Sequence, residues 1–83
     1  MRKDYFARLA QDALEALPKK FDSKESLHSA YVEYLKTFPE PSAFYRLGQT
    51  LPLDIDTFLD KADEGTKNTF MISMARFALK MYL

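Results

Sequence analysis

Apolar residues recur at intervals of three and four along nearly the whole chain, and no stretch alternates with period two for long. That spacing predicts helices rather than strands. The first helix is expected over residues 3–17, with Phe6, Leu9, Ala10, Ala13, Leu14 and Leu17 as its buried stripe and Pro18 as its stop. A second begins at "DSKE", where Asp22 or Ser23 serves as cap and Glu25 as the partner in a capping box. Its inner face is Leu27, Ala30, Tyr31, Tyr34 and Leu35, and the prolines of "FPEP" end it. A short third helix follows from Ser42 to Leu47 or Gly48, with Phe44 and Leu47 inward and Gly48 and Pro52 marking its end. "LDIDTFLDKA" reads as a fourth, again short, turning Ile55, Phe58, Leu59 and Ala62 inside. Gly65 breaks it, Thr66 caps the next, and a fifth helix runs on through Leu83.

The fifth helix carries the strongest signal. Of the fourteen residues in "FMISMARFALKMYL", Phe70 to Leu83, eleven are apolar. At about 100° per residue, Thr69, Ser73, Arg76 and Lys80 fall in one polar stripe about 60° wide. Phe70, Met74, Phe77 and Met81 form one flank, Met71, Ala75, Ala78 and Tyr82 the back, and Ile72, Leu79 and Leu83 the other flank. An ordinary surface helix buries an apolar arc of somewhat over ~100°, and this one offers more than twice that. Two arrangements accommodate it. In one the helix is central, wrapped by the others with only its polar stripe wet. In the other, one flank packs on the protein's own core and the second meets another chain, its twin or a target. Methionines at 71, 74 and 81 suit an adaptable contact surface and equally a core. A membrane-surface helix would use Lys67, Arg76 and Lys80, but that class has a broad polar face and this face is thin. Burying a large apolar side chain is worth roughly 1.5–3 kcal/mol, so leaving Ile72, Leu79 and Leu83 in water would forgo much of a stability of only ~5–15 kcal/mol. Most sides of this helix must be covered.

Composition narrows the class. The 83 residues suit one helical domain, 1–83, large enough for a core without staples. There is no cysteine, which excludes disulfides and thiolate metal sites and fits a cytoplasmic protein. The opening "MRKDYF" is not a signal peptide, since Asp4 and Arg8 interrupt any apolar run, and the last segment is too short to span a bilayer. Twelve basic and twelve acidic residues cancel, which argues against a strongly basic nucleic-acid binder.

The charges are nevertheless segregated. Residues 42–65 hold five acids (Asp54, Asp56, Asp60, Asp63, Glu64) and two bases, whereas 66–83 hold three bases and no acid. A calcium loop starting at Asp54 would need an oxygen ligand at Phe58, glycine at Leu59 and glutamate at Gly65. One starting at Asp60 places Gly65 well but ends on Met71. Neither pattern holds, and no metal or cofactor is implied. Helix-start positions account for Asp54, Asp56, Asp63 and Glu64; an acidic patch that steers a partner is the functional alternative. His28 is the single histidine, so nucleophilic triads and histidine metal sites lack parts. Gly48 and Gly65 stand alone, so there is no phosphate loop. Read as a helix-turn-helix, "SAFYRLGQTLPLDIDTFL" would bring Asp54, Asp56 and Asp60 to the DNA backbone, which is electrostatically wrong.

The expectation is thus an all-α, compact bundle of about five helices, two of them short, with a highly apolar C-terminal helix at its centre or interface. A non-enzymatic protein–protein interaction module follows: a regulator, inhibitor, adaptor or small subunit, as a short chain beginning at Met suggests. Its partner is expected to be itself, as a homodimer, or a target protein. The residues expected to bind are Met71, Ile72, Leu79, Tyr82, Leu83, Asp56, Asp60 and Asp63. The alternative is a nucleic-acid-binding regulator using the basic N-terminal helix, with Arg2, Lys3, Arg8, Lys19 and Lys20 in or near it, although Asp4, Asp12 and Glu15 lie among them.

Overall fold

A computed structural model describes residues 8, 11, 12 and 15–82, and among them four α-helices and one 3-10 turn have described bounds. The turn is Leu17–Lys20, and the helices are α1 (Lys24–Leu35), α2 (Ala43–Thr50), α3 (Ile55–Lys61) and α4 (Glu64–Tyr82). No strand occurs among the described residues. Of the expected first helix, the stripe residues Phe6, Leu9, Ala10, Ala13 and Leu14 lie outside them, and Leu17 opens the 3-10 turn instead. Arg8, Gln11, Asp12, Glu15 and Ala16 are helical. The radius of gyration, 11.9 Å, is that of a compact chain of this length, roughly 12 Å.

Each helix starts where a side chain accepts an otherwise orphaned amide proton. Ser23 caps α1, with its Oγ accepting from the Ser26 amide at 3.1 Å. This places Ser26, not Glu25, third in the helix, and the Ser23 hydroxyl donates to Ser26 Oγ at 3.3 Å instead of a glutamate reaching back. Ser42 caps α2 through the Phe44 amide at 3.1 Å. Asp54 caps α3, taking the Thr57 amide on one oxygen at 3.2 Å and the Thr57 hydroxyl on the other at 2.7 Å. Asp63 accepts the Thr66 amide at 2.7 Å. The cap of α4 is therefore Asp63 rather than Thr66, because a carboxylate is the stronger acceptor at the positive end of a helix.

Both glycines play other parts than helix breaking. α2 runs through Gly48 to Thr50 before Pro52 stops it. Gly48 is buried where α2 crosses α1, and a Cβ there would stand 2.9 Å from the Leu35 Cβ. Its missing side chain is what lets the two helices approach. Gly65 is the second residue of α4 and has no positive φ.

The core is built from Leu27, Tyr31 and Leu35 of α1, Leu47 of α2, Leu51, and Phe70, Met74, Phe77 and Ala78 of α4. Ile55, Phe58 and Leu59 of α3 half-bury against it. Tyr31 is fully buried between Phe70 and Phe77, with ring centroids 5.8 and 5.4 Å away. Its hydroxyl meets Ser73 Oγ at 2.5 Å, and Ser73 donates its own proton to the Phe70 carbonyl at 3.0 Å. With that proton spent, the phenol is the donor of the pair. Burial pushes the Tyr31 phenol well above its ordinary range, partly offset by the Ser73 hydrogen bond, so it stays a neutral donor.

This pair corrects the expected polar stripe. Ser73 is fully buried, while Arg76 and Lys80 are exposed and Thr69 is half-buried. The buried positions of α4 run from Ser73 through Phe77, Phe70, Met74 and Ala78 to Ala75, an arc of roughly 200° at ~100° per residue. A serine that finds a buried donor belongs to the inside of a helix as much as an alanine does.

Ser73→Ala strands the buried Tyr31 hydroxyl and is expected to cost about 1–3 kcal/mol, whereas Tyr31→Phe leaves Ser73 bonded to Phe70 and costs about 1 kcal/mol. Urea unfolding monitored by circular dichroism reads the order, and the combination of both changes should cost no more than Ser73→Ala alone. Gly48→Ala forces α1 and α2 apart and is expected to lower stability by about 1–3 kcal/mol in the same measurement, against the usual sign for glycine to alanine inside a helix.

Candidate interaction surface

The arc of α4 that the core leaves open carries Gly65, Thr69, Ile72, Arg76 and Leu79, spaced 4, 3, 4 and 3. This spacing keeps one side of a helix in view over its whole length. Leu79 is 45% exposed, one of two large apolar side chains in that state among the described residues. Ile72 is half-buried. Met71 lies on the far side and packs against the core. Leu83 and the Tyr82 side chain lie outside the described residues.

Arg76 of the open arc and its neighbour Lys80 each stand over a ring. The Arg76 guanidinium lies 5.7 Å from the centroid of Phe44, and the Lys80 ammonium 5.3 Å from that of Tyr34. Phe38 bridges these rings, 5.5 Å from Tyr34 and 4.8 Å from Phe44. The aromatic wall from α1 and α2 thus fixes where both charges stand at the edge of the apolar strip. The single ion pair among the described residues is Lys67 with Glu64 at 4.0 Å, on the surface. At the C-terminal end, Lys20 donates to the Met81 carbonyl at 3.3 Å, as a cation there should.

Beside the first turns of α4 a groove of about 390 Å³ opens towards α2, lined by Ala43, Arg46, Leu47 and Thr50 on one side and Asp63, Gly65, Thr66 and Thr69 on the other. Gly65 leaves it shallow-walled: a Cβ there would meet nothing nearer than the Asp63 Oδ1 at 3.6 Å.

The acidic candidates sit at the other end of α4 from Leu79. Asp63 and Leu79 are sixteen residues apart, or roughly 24 Å along the axis at ~1.5 Å per residue. Asp56 and Asp60 are exposed on one side of α3. Asp54 and Asp63 are occupied as caps. Hydrogen bonds from the Thr57 hydroxyl and amide hold the Asp54 carboxyl below its ordinary value, and those from the Thr66 amide and hydroxyl do the same for Asp63. Among the described residues no group of three or more His, Asp and Glu side chains is placed to hold a metal ion, and no helix is long and apolar enough to cross a membrane.

Sequence reasoning missed three features. Leu53, in the α2–α3 link, is 46% exposed beside a cavity of about 170 Å³ that Lys24, His28, Asp54 and Asp56 help to line. His28 does not stand free on the surface: its Nε2 lies 2.8 Å from the Leu51 carbonyl, to which it donates, pinning that link to α1. The groove beside Gly65 had a signal in the glycine itself, which reads as a helix stop until the helix is seen to run through it.

The two caps carry a pH dependence. Their carboxyls are held below the unfolded value, so their contribution is complete above it and is lost as pH falls through the folded values. The thermal midpoint is expected to fall between roughly pH 5 and pH 2, and Asp54→Asn with Asp63→Asn, which keep an acceptor in place, should flatten that part of the profile. No known family model, curated protein or solved structure matches this chain.

Proposed function

We propose that the protein is a non-enzymatic interaction module that associates with a second copy of itself through the open arc of α4. The observation that carries this is Leu79, 45% exposed, on the helix that otherwise supplies the centre of the core. Ile72 lies seven residues before it on the same side. A rigid, well-packed helix presenting apolar side chains in a line, with cations fixed at its margin by rings, is a surface prepared for a protein rather than for a small molecule. Catalysis gains no support from the layout. His28 is engaged with a backbone carbonyl, and the carboxylates with resolved shifts are pushed down, away from general-acid use.

The described basic residues near the N-terminus give the nucleic-acid reading no matching support. Arg8 and Lys19 are exposed, but so are Asp12 and Glu15 among them, and Lys20 is engaged with the end of α4.

Light scattering behind a sizing column, over a wide concentration range, is expected to give twice the chain mass of 9.7 kDa. Leu79→Asp should weaken association by tenfold or more, about 1.4 kcal/mol or above, with helicity unchanged, and adding Ile72→Asp should abolish it. A monomer at every concentration overturns self-association, and unfolding by Leu79→Asp alone would place that side chain in the core.

A further inference from the structure

We draw no further inference here: the strongest candidate, the cavity of about 170 Å³ between α1 and the α2–α3 link beside exposed Leu53, is walled by Lys24 as well as by the carboxylates of Asp54 and Asp56, so its charge selects no ligand, and nothing in the structure shows what covers it.

Discussion

The hydroxyl of Tyr31 must find a partner in a place that water does not reach, and that requirement sets the rotation of α4. The ring is fully buried, and an unpaired buried hydroxyl costs about 1–3 kcal/mol. Ser73 is the one polar residue among the buried side chains of α4. Turning the helix by a single position, about 100°, would carry Ser73 away and set Ile72 or Met74 against the phenol. Apolar packing alone would not choose between these rotations, since most sides of α4 are apolar. The hydrogen bond chooses, and in doing so leaves Leu79 exposed and Ile72 half-buried outside the core cluster.

Once that rotation is set, the rest of the packing follows from small residues and rings. Gly48 lets α2 lie against α1, which brings Phe44 and Phe38 beside Tyr34. These rings stand at the margin of α4 where Arg76 and Lys80 emerge, and each cation lies over one of them. A cation over a ring retains its charge and much of its hydration, so the edge of the open strip stays positive without a carboxylate close by. The candidate surface is in this sense a consequence of the core: its apolar line is what Tyr31 leaves over, and its charges stand beside the aromatic wall.

Much of this was legible in the sequence, and what was not has identifiable causes. Periodicity and the capping residues placed α1 to α4 within a few residues, because Ser23, Ser42 and Asp54 act through local hydrogen bonds that depend on little else. Leu27, Tyr31, Leu35 and Leu47 were readable as core from spacing alone, whereas Phe70, Met74 and Phe77 stood only as one of two apolar flanks of α4. Ser73 was not, because residue type assigns it to water and only the distant Tyr31 brings it inside. Gly48 and Gly65 were taken for helix ends, since a glycine that breaks a helix and one that admits a neighbour look alike in one dimension. Leu53 and the His28–Leu51 contact depend on how α2 and α3 are joined across Pro52, which no local pattern encodes. For the candidate surface, the wheel sets Ile72 and Leu79 on one flank and Met71 on the back, and only the structure shows Met71 against the core and Leu79 exposed, because a sequence that is apolar nearly all round does not reveal where its neighbours stand.

The segregated charge of the chain takes on a meaning once α4 is placed. A net charge of zero reached by mixing signs evenly would give the open strip no preferred direction. Here Asp54, Asp56, Asp60, Asp63 and Glu64 gather before or at the start of α4, and its only charges beyond Glu64 are Lys67, Arg76 and Lys80. Two of the acids have local duties as caps, so their position is dictated by folding. The cations of the last turns in turn suit the negative end of the helix. Local helix electrostatics therefore suffices to polarise the element, and any second copy laid along it meets that polarity. The self-association proposed for Ile72 and Leu79 thus runs along an element whose polarity is already dictated by the rules that stabilise the helix itself.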